Sequence, residues 1–230
     1  MHVVFRLGER PLRLFADRDD REGFVVGAAV LGGIHAGPYL KDVSVPAPSV
    51  GVVLRPGIAE LVSGAPAGAL AGRHTRIEDL WPRRDLAEFC ERLNLARSAA
   101  GRLKLVERAL LARLPRVRGL DPLVAHALAR LGARAGVGTM VAESGYSHRH
   151  VARSFRATVG LEPKTYGRLV RFGRVLGRCH AQPTAGWADI AAAEGYADQA
   201  HMSREFREFA GVSPGRYRTI APAEVRHLPL

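Results

Sequence analysis

The chain has 230 residues, 47% of them hydrophobic, and carries 34 Lys and Arg against 22 Asp and Glu, a formal net charge of +12. Such a composition supplies one large or two modest cores, which excludes disorder as the main state, and the basic excess favours a polyanionic partner such as nucleic acid or an anionic membrane face. No apolar run approaches the roughly 18–20 residues of a membrane helix, and residues 1–7 lack a signal peptide's basic-then-apolar layout. Cys90 and Cys179 fit neither a disulfide scaffold nor a zinc spacing, so a cytoplasmic protein with no membrane partner is expected.

In chain order, residues 2–55 read as short strands and turns. HVVFRL, LRLF, FVVGAAVL and VGVVL are rich in β-branched and aromatic residues, and Gly, Pro and Asp clusters such as Gly8–Pro11 and Asp17–Gly23 separate them. From Ala59 the pattern changes: AELVSG, IEDLWPRRDLAEFCERL and AGRLKLVERALLARL space apolar residues three and four apart, as amphipathic helices do. Leu103, Val106, Leu110, Leu111 and Leu114 form one stripe, with Arg102, Lys104, Glu107, Arg108 and Arg113 mostly off it, and Pro115 closes that helix. PRVRGLDP, Pro115 to Pro122, reads as a linker or hinge. Beyond it no strand is expected, and helices are predicted at about 122–131, 137–144, 148–158, 163–179, 187–194, 198–209 and 214–219.

The helical part repeats itself. MVAESGYSHRHVARSFRATVGLEPKTY, from Met140, aligns with IAAAEGYADQAHMSREFREFAGVSPGRY, from Ile190. Gly145-Tyr146 falls over Gly195-Tyr196, and Phe155, Gly160, Pro163 and Tyr166 fall over Phe206, Gly211, Pro214 and Tyr217 with one residue inserted. Each copy is a short helix, a glycine turn and a second helix of about ten residues with an inward Phe, followed by Gly-apolar-x-Pro opening the next helix. Gly145 and Gly195 suit a position just past a helix end, Ser147 and Asp198 can cap the helix that follows, and Pro163 and Pro214 suit a first helical turn. Helix, glycine turn, helix is the layout in which the second helix enters the DNA major groove.

On these motifs residues 137–218 resemble the DNA-binding domain of the AraC/XylS family of bacterial transcription regulators, and GYADQAHMSREFREFAGVSPGRYR is close to that family's signature. The resemblance implies two helix-turn-helix units, at about 137–158 and 187–209, joined by a linker helix at about 163–179. Such units reach successive major-groove segments, which recur about 34 Å apart on one face of DNA. It further implies double-stranded DNA and RNA polymerase as partners, with a small-molecule effector and a homodimer as options. The expected fold class is α+β: a β-rich sensing or dimerising domain with a helical tail over 1–118, and an all-α DNA-binding domain over 119–230.

Helical periodicity sorts the reading residues. Val151 and Phe155 point inward in the first copy, leaving Arg149, Ala152 and Arg153 outward. Arginine can bond guanine O6 and N7 bidentately, so Arg149 and Arg153 are the base readers, Ala152 offers at most a methyl contact to thymine, and His148 lies nearer a phosphate. In the second copy Met202 and Phe206 point inward, and Gln199, Ala200, Ser203 and Arg204 outward. Gln199 suits adenine, and Arg204 suits guanine or phosphate. His201 reads as a packing or phosphate-contacting residue, and Trp187 and Ile190 as core. Arg168, Arg171, Arg174 and Arg178 share one face of the linker helix, which is either solvated or, through Arg171, in contact with phosphate. Arg216 and Arg218 flank a helix start that itself attracts anions.

The N-terminal part is harder to place. VVLRPG, Val52–Gly57, with IAELVSGAPAGAL and IEDLW, resembles the β-rich domain of poorly characterised AraC-like regulators, beside which the chain looks short. The first strand begins right after Met1, and loss of a leading segment through a late start codon would leave that domain an unpaired edge. His2, His35 and His74 lack the clustered His-x-His and trailing Glu of a cupin-like metal site, so no metal or cofactor is expected. No phosphate loop, serine elbow or catalytic carboxylate pair is present, and Cys179 reads as structural, so no catalytic residue is assigned. The alternatives are a metal-binding or enzymatic sensor in residues 1–80, and a helical domain turned to protein contact.

Overall fold

Seven strands and eleven α-helices follow one another in the computed structural model of the chain, which describes residues 1–8, 10–44, 47–115 and 119–220. The strands are β1 (His2–Arg6), β2 (Leu12–Phe15), β3 (Phe24–Gly27), β4 (Ala29–Gly32), β5 (Leu40–Lys41), β6 (Ser49–Val53) and β7 (His74–Arg76). The helices are α1 (Ala59–Ser63), α2 (Ala67–Leu70), α3 (Arg83–Leu95), α4 (Ala99–Leu111), α5 (Pro122–Gly132), α6 (Val137–Ser144) and α7 (His148–Val159), then α8 (Pro163–Ala181), α9 (Trp187–Ala193), α10 (Gln199–Ala210) and α11 (Pro214–Ile220). The α+β class read from the sequence is the class observed. Of the expected hinge, Arg116 to Arg118 lie outside the described residues.

The chain forms two units. One holds Met1–His35, Tyr39–Ala125 and Tyr146–Glu162, and therefore the strands, α1 to α4 and α7; the other holds Ala36–Pro38, His126–Gly145 and the helices from α8 onward.

In the first unit the strands make an antiparallel four-stranded sheet in the order β6-β1-β4-β7, and a three-stranded one in the order β3-β2-β5. β1 alternates, burying Val3 and Phe5, while β4 is buried at every residue. β1 is paired on both sides, so the edges of its sheet are β6 and β7 rather than the first strand. The single strand expected over FVVGAAVL is two strands in two sheets. Gly27 breaks it with φ of 149°, a backbone that residues with a Cβ rarely adopt. β5 and β7 have no counterpart in the sequence reading, since two residues, and the polar triplet His-Thr-Arg, carry no alternation to detect.

Under the four-stranded sheet lies a core of Val3, Phe5, Leu31, Ile77, Trp81, Phe89, Leu93 and Val106. Phe5 meets Phe89 edge-on at 4.9 Å, and the Trp81 indole N–H donates to the Val62 carbonyl at 3.1 Å. α3 starts after Pro82, so IEDL forms only a 3-10 turn, Ile77–Asp79. The leucine stripe read on α4 is only partly a core face: Val106 is buried, but Leu103 and Leu111 are 52% and 58% exposed and Leu114 is exposed too. α7 packs on α2 through two glycines. A Cβ on Gly160, where φ is 94°, would come within 2.9 Å of the Ala67 carbonyl oxygen, and one on Gly68 within 3.3 Å of the Arg156 carbonyl oxygen.

The second unit closes on Phe172, Val175, Leu176, Ile190, Tyr196, Met202, Phe206, Phe209 and Tyr217. Phe172 and Phe206 meet edge-on at 5.2 Å, and Phe206 and Tyr217 at 5.4 Å. Ile190 and Cys179 sit in this core as expected, with Trp187 packed against it.

Candidate nucleic-acid interface

Both glycine turns are built from the same parts. α6 ends at Gly145 with φ of 72°, and Gly195, with φ of 74°, follows the end of α9; in the left-handed region a Cβ costs roughly 1–2 kcal/mol. The Ser147 hydroxyl accepts from the His150 backbone N–H at 3.3 Å to cap α7, and the Asp198 carboxylate accepts from that of His201 at 2.6 Å to cap α10. Each cap satisfies one of the donors that a helix start leaves open.

The face of α7 opposite its buried Val151, Phe155 and Val159 carries the predicted readers. His148, Arg149 and Arg153 are exposed, and Ala152 is half-buried. Arg153 Nη2 lies 3.4 Å from His150 Nδ1, and the His150 ring stacks on Tyr146 at 5.0 Å with 18° between planes. His150 and Tyr146 were not singled out in the sequence.

On α10 the stripe Met202, Phe206 and Phe209 is buried, Gln199, Ala200 and Arg204 are exposed, and Ser203 and His201 are half-buried. His201 meets the buried Tyr196 edge-on at 5.2 Å. Beyond α10, Arg216 is exposed near the start of α11, whereas Arg218 donates to the Ala185 carbonyl at 2.8 Å and lies 3.8 Å over the Trp187 ring.

The α8 arginines are occupied by carboxylates that sequence reasoning missed. Glu205 is 2% exposed and accepts from Arg168 Nε at 2.8 Å, Arg171 Nη2 at 2.9 Å and the Tyr196 hydroxyl at 2.6 Å. Glu194, 3% exposed, accepts from Arg174 Nε at 3.0 Å and pairs with Arg178 and with Arg134 at 3.1 Å. Arg168 also closes on Glu208, and Arg171 gives its remaining edge to the Gly195 carbonyl while lying over the Tyr196 ring. Burial alone would raise both carboxyls. For Glu205 the bonds from Tyr196, Arg168 and Arg171 outweigh it, and for Glu194 those from Arg178 and Arg174, so both end below the ordinary carboxylate range. The Tyr196 hydroxyl is held above its usual range by burial and by Glu205. The signal available in the sequence was the arginine run itself: a helix face of four cations without an acid requires counter-charge from elsewhere, and Glu205 shares the inward stripe of Met202 and Phe209.

The three histidines, distant in sequence, meet in the first unit. The register sets His2 opposite Gly32 and Gly32 opposite His74, and the absent Cβ at Gly32 leaves room for the His2 ring, whose Nε2 would otherwise lie 2.4 Å from it. His74 sits 6.1 Å from His2, 4.8 Å from His35 and 4.4 Å from Tyr39, centroid to centroid. Burial first, then His35 and His2, lower His74 to about 4, and burial also lowers His35. Among the described residues no group of three or more His, Cys, Asp or Glu could hold a metal ion. No helix of the described residues is long and apolar enough to cross a membrane.

A family model described as a helix-turn-helix domain matches residues 140–220. Among solved structures the chain is similar to the C-terminal domain of AraT, a response regulator from Geobacillus stearothermophilus, at 20% identity over 45% of this chain and 88% of that one, with a TM-score of 0.42. A transcriptional regulator with an AraC-type DNA-binding domain from Chromobacterium violaceum is 21% identical over 44% of this chain and 94% of its own, with a TM-score of 0.40. ToxT from Vibrio cholerae is 12% identical over 97% of this chain and 91% of its own, with a TM-score of 0.48. No curated protein matches the chain.

Proposed function

We propose that this chain, a DNA-binding transcription regulator whose residues 140–220 form an AraC-type helix-turn-helix domain, lays α7 and α10 each into a major-groove segment and so reads a long, asymmetric site. The observation that carries this is the duplicated unit: each copy has a capped helix with its apolar stripe buried and a polar opposite face that presents arginine. Arg149 and Arg153 favour guanine-containing steps in one subsite. Gln199, Ala200, Ser203 and Arg204 read a smaller subsite in which adenine contact and groove shape weigh more. Ala152 adds a methyl contact.

His148, His201 and Arg216 are assigned to phosphate. Arg171 and Arg218 we read chiefly as structural, because Arg171 closes on Glu205 and Gly195, and Arg218 donates to the Ala185 carbonyl while lying over the Trp187 ring. Residues 1–118 serve as a sensing or dimerising domain and 119–230 as the DNA-binding domain. The exposed Leu103 and Leu111 on α4 support self-association. RNA polymerase and a small-molecule effector complete the proposed partners; the proposed site of action is the cytoplasm, and no enzymatic step is assigned.

Selection of bound duplexes from a random pool tests the reading and yields the site at once. Enrichment of a two-part motif with guanine in one part is expected, whereas a folded chain that enriches no motif would sink it.

A further inference from the structure

The base-reading arginines of the two copies are not held alike. Arg204 on α10 projects from an exposed face, and the aromatic residue before that helix, Tyr196, is buried against Glu205. In the first copy the corresponding tyrosine is outside: Tyr146 is 54% exposed, and its ring lies flat on His150. His150 in turn faces Arg153 one helical turn on, with Nδ1 at 3.4 Å from Nη2.

An arginine guanidinium has only donors, so a hydrogen bond between the two requires the imidazole tautomer in which Nδ1 is unprotonated. The ring proton then sits on Nε2. The stack with Tyr146 limits the ring's rotation, and the backbone beneath it is fixed by the Ser147 cap that accepts from the His150 N–H. Tyrosine, imidazole and guanidinium thus form a chain on the outer face of α7, the face that carries Arg149 and Arg153. A free arginine side chain samples many rotamers, and a bidentate contact with guanine requires a single planar placement. A neighbour that already restricts the guanidinium removes part of that ordering from the binding step.

We infer that His150 is a positioning residue for base recognition by the first copy: clamped by Tyr146, it accepts a hydrogen bond from Arg153 and holds that guanidinium for guanine. This rests on the reading of α7 as a base-contacting helix. His150 is distinct from the assigned phosphate contacts because it acts through Arg153 rather than on DNA directly. The second copy has the same residue types, His201 and Arg204 standing over His150 and Arg153, but there Tyr196 is committed inward to Glu205 and meets His201 edge-on at 82° instead of stacking flat on it.

The test uses the full chain and the duplex it selects, with variants at the guanine that Arg153→Ala ceases to prefer. His150→Ala is expected to lose roughly threefold to tenfold of the discrimination at that guanine, about the size of one net hydrogen bond, with little change at other positions. In an Arg153→Ala background it should have no further effect on discrimination. His150→Asn, whose side-chain oxygen can stand near the place of Nδ1, should recover most of the loss, whereas His150→Phe keeps the stack without the acceptor and should not. Equal weakening on all sequences by His150→Ala, or equal rescue by Phe and Asn, would overturn the positioning role. A preference unchanged in Arg153→Ala would instead overturn the underlying assignment of Arg153, so the two failures are separable.

Discussion

The two copies share a glycine turn, a side-chain cap and a buried apolar stripe, yet they differ in what lies under the reading helix. In the second copy Glu194 and Glu205 are buried and bonded to arginines of α8, and the buried Tyr196 donates its hydroxyl to Glu205. The first copy has Ser144, Ser154 and an exposed Tyr146 at those places, and its ion pairs, Glu143 with Arg130 and Glu162 with Arg156, are on the surface. The two copies share the shape of the unit and differ in its means of support. One copy is braced from beneath by desolvated charge, while the other carries its aromatic and imidazole groups on its outer face.

Glu205→Ala should have the largest effect. It leaves Arg168, Arg171 and the Tyr196 hydroxyl without their acceptor, and loss of about 3 kcal/mol in thermal or denaturant unfolding is expected. Ser154→Ala, the same place in the first copy, should cost no more than a few tenths of a kcal/mol; equal losses would erase the contrast. Next comes Arg153→Ala, expected to cost roughly 1–3 kcal/mol on the preferred duplex and to relax one base position. Equal loss on specific and random DNA would mark it as a phosphate contact.

Acid should separate the histidine cluster from the brace. His74 is lowered to about 4 from an ordinary 6.5, so between those values the unfolded chain binds the extra proton and folding weakens as pH falls, by roughly 1–2 kcal/mol once solvent screening is allowed for. Glu194 and Glu205 are lowered as well. The stability they contribute is present above the normal carboxylate range and is lost only as pH falls through their depressed values. Chemical shifts of residues in the strands should therefore move at milder acidity than those of α8 to α10, and simultaneous change would contradict it. Removing the caps should have smaller and matched effects, about 1 kcal/mol each for Ser147→Ala and Asp198→Ala. Smallest of all, Arg171→Ala should leave the salt slope of DNA binding unchanged while lowering stability; a slope reduced by about one charge would place Arg171 on a phosphate.

Much of the helical part could be read from the sequence because its signals are local. Gly145, Gly195, Ser147, Asp198 and the two prolines each act within one turn, and the predicted helix limits fall within two residues of those observed. The strands fared less evenly. LRLF is a strand at the predicted limits, but β7 exists only because β4 offers it a partner, and the split at Gly27 depends on which sheet each half joins. The outward faces of α7 and α10 followed from the apolar stripe alone. Their support did not: Glu205 falls on the inward stripe, but nothing local names Arg168 and Arg171 as its partners, and His2, His35 and His74 look scattered until the register aligns them. Pairings across many residues leave no periodic trace in one chain.

The buried carboxylates bear finally on how the protein leaves its site. Ionic strength screens exposed charges within about 10 Å at 0.1 M and reaches desolvated ones far less. Arg149, Arg153, Arg204 and Arg216 stand in water, whereas Glu194 and Glu205 do not. On the proposed DNA contacts, a rise in salt is therefore expected to detach the chain from DNA without loosening the second copy, so that the released molecule can bind again without refolding.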